Sequence, residues 1–368
     1  YNDNANFTGT ESASDGDTAE AILSVGPALQ VLYGDEQSAW RFGLAYRLGY
    51  RYVFEGFQDD GFDQTGTLTI DYISGKLSFG SATNASYDLR DNFDAGTRGN
   101  ELLVSQAFTL DYQHSPKTSV GGRVSFDLIE PDDSERRSDA SFALFTDYNY
   151  SPKSSVGLGV DGDFAWFSGS DATAENDRDV LRGYLRFGYD PHAKWDGTLR
   201  LGVDGRRYGD TDVEWNPYAA VDLNWTISER WWFLITAALD YTEQSDSGLA
   251  LAPDVRATLG YTTPAETRLS VSAYTSPEDS FRNSQSYVVS GVLLSINQRL
   301  FASLVVDLSG GYEVSDYEAR PASGESGSYE EDYAFGRLSL AHPLGTRSTV
   351  SAYYQISDRS GGRSGSSE

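Results

Sequence analysis

Three histidines, no cysteine, and 28 lysines and arginines against 55 aspartates and glutamates bound the chemistry open to this 368-residue chain. His114, His192 and His342 all stand beside proline-marked turns, and without Cys there is no Ser-His or Cys-His pair to place inside a sheet. Asp161 and Asp163 stand two positions apart and could in principle do acid–base work, but neighbouring same-face carboxylates on one strand more often form a polar lining. No catalytic residue and no cofactor is therefore assigned. Glycine-rich runs such as "GLGVDGD" precede no helix, so nothing would cradle a phosphate. A net charge of −27 excludes nucleic acid as a partner, because a phosphate backbone needs a basic stripe.

Two charge patterns remain. Acidic clusters at Asp59-Asp60, Asp132-Asp133 and Glu330-Glu331-Asp332 supply hard oxygen ligands suited to Ca²⁺ or Mg²⁺, including ions that bridge to anionic lipopolysaccharide. None fits an EF-hand loop, and a solvated acidic rim accounts for them better. The second pattern is a set of arginines and aspartates at alternate positions of apolar segments: Arg41, Arg47, Arg51, Arg182, Arg186, Arg200 and Arg206, with Asp161, Asp163 and Asp204. Charges facing one another across a pore set up a transverse field that orients a permeating polar solute. The plainer reading is that they pair and hydrate a wet interior.

What could position such charges is visible in "WRFGLAYRLGYRYVFEGF", where every even position from Trp40 to Phe54 is apolar and the odd ones carry Arg41, Arg47 and Arg51. Period two means a strand with two unlike faces. The pattern recurs in "LLVSQAFTLDY", in "TLRLGVDGRR" and in "WWFLITAALDY", where the apolar phase runs from Trp231 to Tyr241. Only "SYVVSGVLLSIN" is apolar in both phases, which leaves its facing open. Mean hydropathy is −0.46 although there are 24 Tyr, 18 Phe and 7 Trp, and no run reaches the ~18 apolar residues of a membrane-spanning helix.

The punctuation is regular. "DYQHSPKTSVGGRVSFD" and "DYNYSPKSSVGLGVDGD" match at an offset of 36 residues, and further short turns fit at Gly34-Asp35, Ser74-Gly75, Pro191, Ser228-Glu229, Pro264, Asn297-Gln298 and Pro343. Nine short turns imply 18 strands. The connections between hairpins are longer and acidic, whereas Lys76, Lys117, Lys153 and Lys194 all lie at the short turns. A propeller would need four strands per period of ~40 residues where this chain has two, and a sandwich would not alternate short with long connections.

An outer-membrane barrel does alternate them, turning tightly on the periplasmic side and looping widely outside, with apolar residues outward and polar ones inward. Trp40, Phe42, Leu44 and Tyr46 then face lipid. The expected fold is one all-β, transmembrane, antiparallel up-and-down barrel over residues 1–368, with 18 visible strands in a range of 16–20 and loop-like ends at 1–17 and 359–368. Both ends read as long-rim sequence, so one further strand is expected at each, making about 20. The missing initiator Met fits a processed, exported chain. The location is the bacterial outer membrane, where the partners are lipid, lipopolysaccharide, small hydrophilic solutes, and other copies of the chain in a trimer.

"YNDNA", Tyr1 to Ala5, which an acidic loop and "AILSVGPALQVLYG" follow, resembles the Tyr-Asp-x-Asn ending of the first strand in a large family of bacterial outer-membrane β-barrel porins often encoded with exopolysaccharide and surface-polymer systems. The resemblance implies a porin-like or polymer-export role and carries over no catalytic residue. The function expected from the residues is passive diffusion of small hydrophilic solutes through a charged, water-filled lumen. The rival is a surface-structural or export-associated barrel acting through its acidic loops.

Overall fold

Alternation of lipid-facing and water-facing residues commits each segment to an extended backbone, and among the described residues the computed structural model contains strands and no helix. It describes residues 18–361 except 36, 56–60, 93–96, 133–135, 169–176, 193, 210, 245–247, 280–285, 302, 319–328 and 345–347. The chain opens with β1 (Thr18–Val25) and β2 (Ala28–Tyr33), then β3 (Trp40–Glu55), β4 (Gly61–Ser74), β5 (Leu77–Asn92) and β6 (Thr97–Ser115). It continues through β7 (Thr118–Pro131), β8 (Arg136–Ser151), β9 (Ser154–Ser168), β10 (Arg178–His192), β11 (Trp195–Tyr208), β12 (Glu214–Thr226) and β13 (Trp231–Gln244). The last six are β14 (Gly248–Thr262), β15 (Arg268–Asp279), β16 (Ser286–Leu300), β17 (Leu304–Glu318), β18 (Tyr329–Leu344) and β19 (Ser348–Gly361).

From β3 to β19 each strand pairs antiparallel with its sequence neighbours in one sheet. β1 and β2 are one span: Val25 opposes Tyr50 and Ala28 opposes Arg47, so the register on β3 is unbroken across Gly26-Pro27. The Leu48 amide donates to the Pro27 carbonyl at 3.1 Å. A Cβ at Gly26 would lie 1.6 Å from the Leu48 carbonyl oxygen, which explains the glycine. β1 also pairs with β19, Thr18 to Ile22 against Tyr353 to Ser357, and the hydrogen-bonded order returns to its start after 18 spans. The 18 spans of the described residues match the 18 visible strands expected, and β1 and β19 meet over a five-residue seam.

The short turns are built as their residues suggest. Gly34 and Gly75 carry positive φ, which glycine adopts without a Cβ clash. In the two Ser-Pro-Lys repeats the serine hydroxyl oxygen accepts the turn amide: Ser115 from Lys117 at 3.2 Å, and Ser151 from Lys153 at 3.1 Å. Two turns are displaced from expectation. β16 runs through Asn297-Gln298 to Leu300, and Pro343 pairs with Thr349 inside the β18–β19 ladder. Asn297 opposes Asp307 in the β16–β17 register, so pairing along the strand outweighs the local turn propensity of Asn.

The outer face is the apolar one. Trp40, Phe42, Leu44 and Tyr46 are exposed on β3, as are Leu199, Leu201 and Val203 on β11. On β16 the exposed set is Val292, Leu294 and Ile296, which settles the facing that its sequence left open. Rings gather in pairs near the short turns, with Trp40 against Tyr72 and Trp231 against Tyr261 at 4.5 Å, and Tyr189 against Trp195 at 5.2 Å. On β12 the exposed Trp225 and Trp215 lie ten residues apart on one face. At ~3.4 Å per residue and a tilt of ~45° they are about 24 Å apart along the membrane normal, the height of a hydrocarbon belt. These are the two interfacial girdles of a spanning barrel.

Candidate functional site

The inner phase of β9 to β13 carries a continuous strip of charge, and register decides who meets whom. Arg182 on β10 stands opposite Asp161 on β9 and Asp204 on β11. Its guanidinium donates to Asp163 Oδ2 at 2.6 Å and to Asp204 Oδ2 at 2.9 Å. Asp204, fully buried, also accepts from Arg206 at 2.7 and 2.9 Å. Arg206 in turn pairs with Asp240 on β13 and donates to the Tyr241 carbonyl at 2.6 Å. An unpaired buried charge would cost several kcal/mol, so these residues stand or fall as a group.

Arg186 and Arg200 sit directly opposite each other on β10 and β11, a juxtaposition that repels. They part in opposite directions. Arg186 crosses Gly157, its side-chain-free partner on β9, to reach Asp147 on β8 at 3.3 Å, and stacks on Phe145 at 4.5 Å. Arg200 turns to Asp222 on β12 at 2.7 Å. Tyr184, two residues before Arg186 on the same face of β10, donates to Asp161 Oδ1 at 2.7 Å. Glycines flank it at 159 and 202, and a Cβ at Gly159 would meet the Tyr184 ring at 2.4 Å. Its ring is 5.8 Å from that of Tyr218, which Arg182 overlies at 5.5 Å.

The β3 arginines form a second group, nearly opposite in the ring. Arg41 faces Asp71 on β4 at 3.8 Å, with both side chains more than a third exposed. Arg51 is buried and pairs with Asp63. Arg47 is exposed. The structure thus brings Asp161, Asp163, Arg182, Arg186, Arg200, Asp204 and Arg206 together and keeps Arg41, Arg47 and Arg51 apart from them. Asp222 and Asp71, each more than two-fifths exposed, mark where both groups meet lumenal water.

The inward aromatics legible in the sequence are placed as follows. Tyr184 belongs to the charged strip, the Trp232 ring lies over Gly260, and Tyr274 donates to Glu313 while Arg256 stacks on it at 4.9 Å. Tyr241 corrects the sequence reading, which put it in the lipid-facing phase. It is buried at 8% exposure, its ring 5.5 Å from the Arg206 guanidinium and its hydroxyl donating to the Pro217 carbonyl at 2.8 Å. Sequence reasoning also passed over the ion-pair partners Asp63, Asp71 and Asp147, although alternation from their neighbours was enough to place them inward.

Of the candidate cation ligands, Asp59, Asp60 and Asp133 lie outside the described residues, and Asp132 accepts from the Tyr87 hydroxyl at 3.3 Å. Among the described residues no group of three or more His, Cys, Asp or Glu side chains could hold a metal ion. "YNDNA" also lies outside the described residues.

No family model and no curated protein matches the sequence. Among solved structures, the apoprotein of the FrpB iron transporter from Neisseria meningitidis, F5-1 variant, superposes with a TM-score of 0.50 at 8% identity, covering 94% of this chain and 82% of that one. A second structure, the copper transporter OprC, gives a TM-score of 0.49 at 9% identity and covers 96% of this chain and 82% of its own. At such identity the likeness is one of fold: an outer-membrane β-barrel, whose lipid-facing belt places it in the outer membrane of a Gram-negative bacterium.

Proposed function

We propose that the chain is an outer-membrane channel through which small hydrophilic solutes diffuse passively. The observation that carries this reading is the pairing of an apolar outer face with an inner face whose ion pairs, Arg41–Asp71 and Arg200–Asp222, remain open to water on nearly opposite walls. A ring of 18 spans has the size of barrels that leave an aqueous channel. Charges on facing walls create a field across the lumen, which orients dipolar solutes and sets ion preference. Arg47, exposed on β3, acts in that field. In the same reading the barrel sits among lipid and lipopolysaccharide, assembles with copies of itself as a trimer, and presents a solvated acidic rim at its long loops.

Purified protein in a planar bilayer tests the reading directly. Discrete conductance steps are expected, with Arg47→Ala moving the reversal potential toward cation preference in a salt gradient. A correctly folded barrel that gives no steps would sink the channel and favour a surface-structural or polymer-export-associated role.

A further inference from the structure

A polar cluster breaks the apolar belt. Residues directly opposite in a ladder share a face, and Thr83 on β5 stands opposite the exposed Leu68 on β4 and opposite Gln106 on β6, which in turn faces the exposed Phe126 on β7. Thr83, Gln106 and Ser81, two positions from Thr83, therefore look toward lipid. Thr83 is four residues from Phe79 and four from Tyr87 on that same face, so at ~3.4 Å per residue and a tilt of ~45° it lies about 10 Å along the membrane normal from either ring. That is the middle of the belt. At mid-strand elsewhere the outward residues are Leu44 on β3, Leu144 on β8, Leu185 on β10 and Leu201 on β11, all exposed.

The three polar side chains hold one another. Gln106 Nε2 donates to Ser81 Oγ and to the Ala107 carbonyl, both at 3.1 Å, and the Thr83 hydroxyl donates to Gln106 Oε1. This leaves the Ser81 hydroxyl hydrogen without an acceptor among the described residues, and Gln106 Oε1 with a lone pair to spare. Acyl chains offer neither donor nor acceptor, and at this depth lipid headgroups are out of reach. The surface is also low here: β5 carries none of the exposed large apolar side chains that stand on β3, β4, β6 and β7, and Ala85 faces Gly66. A shallow strip of Gly66, Ser81, Thr83 and Ala85 thus runs between Leu68 and Phe108.

We propose that this outward face of β4 to β6, centred on Gln106, is where copies of the chain meet in the membrane. A patch of carboxamide and hydroxyl groups both donates and accepts, so the same patch on a second copy completes its hydrogen bonds, and the shallow strip lets the two walls approach. Around an axis normal to the membrane, such copies bring their Gln106 side chains together at one depth. The contact rests on the self-association included in the proposed function and does not need an open lumen.

The chain has no cysteine, so a single thiol reports on its own position. Ala85→Cys puts it beside the cluster and leaves the cluster intact, whereas Leu259→Cys puts it on the exposed face of β14, the thirteenth span of the ring where β5 is the fourth. Purified variants in liposomes are treated with a short bismaleimide, and linked pairs are measured on a denaturing gel. Ala85→Cys is expected to link at least about tenfold more than Leu259→Cys, and adding Gln106→Leu should cut that linking about tenfold, the effect of losing one hydrogen bond between membrane segments. Thr83→Val, which removes a hydroxyl at constant shape, takes its place should Gln106→Leu fail to fold. Copies per particle come from single-molecule photobleaching. Particles of several copies that link no better through Ala85→Cys than through Leu259→Cys would overturn this face and leave self-association standing; one copy per particle would overturn both. Linking unchanged by Gln106→Leu also refutes the contact, as does Ala85→Cys linked to a different protein in native outer membranes.

Discussion

Asp204→Asn offers the sharpest trial of the charged wall. The side chain is fully buried and accepts three hydrogen bonds, one from Arg182 and two from Arg206. Asparagine keeps the shape and one acceptor oxygen but removes the negative charge between two guanidinium groups. Breaking a buried ion pair by removing one partner costs about 3–5 kcal/mol. Here Asp163 and Asp240 still offset part of the exposed positive charge, so a loss of about 2–4 kcal/mol is expected, on the order of a hundredfold in the folding equilibrium. The assay is reversible guanidinium unfolding of the chain in liposomes, followed by tryptophan fluorescence. Arg41→Gln serves as control: its pair with Asp71 is long and exposed, and such pairs contribute about 0–1 kcal/mol. If Asp204→Asn costs no more than Arg41→Gln, the inner wall is a hydrated scatter of charges, and its reading as a cooperating group is wrong.

Leu201→Arg places a charge on the exposed apolar face near mid-strand and should cost about 2–4 kcal/mol in the same liposome titration, whereas Thr198→Arg, on the opposite face, should cost far less. Gly159→Ala drives a methyl into the Tyr184 ring and should destabilise by about 1–3 kcal/mol; loss of near-ultraviolet tyrosine circular dichroism would mark the displaced ring. Asp35, in the β2–β3 turn, is held below the usual carboxylate range chiefly by the Ser38 hydroxyl, so the turn's contribution is present above the unfolded pKa and fades as pH falls through the lowered value. NMR titration of Asp35 should show that downward shift, and Ser38→Ala should reduce it, leaving the part due to the Gln37 amide.

Sequence by itself determined the two faces of nearly every strand, because lipid and water impose opposite requirements on alternate residues and those requirements are local. Trp40 to Tyr46 outward and Arg182, Arg200 and Arg206 inward follow from single-residue parity, and the 18 spans follow from the repeated turns. Where both phases were apolar, in β16, parity had nothing to separate, and only the neighbouring strands fixed Val292, Leu294 and Ile296 outward. Tertiary structure alone decided which charges are partners, since a one-residue change of register would pair Arg182 with different carboxylates. It also decided that β1 meets β19, a contact between segments more than 300 residues apart. Tyr241 shows why: its facing depends on an amide missing from Pro217 on the adjacent strand and on an arginine one strand further round. No pattern within its own strand encodes either.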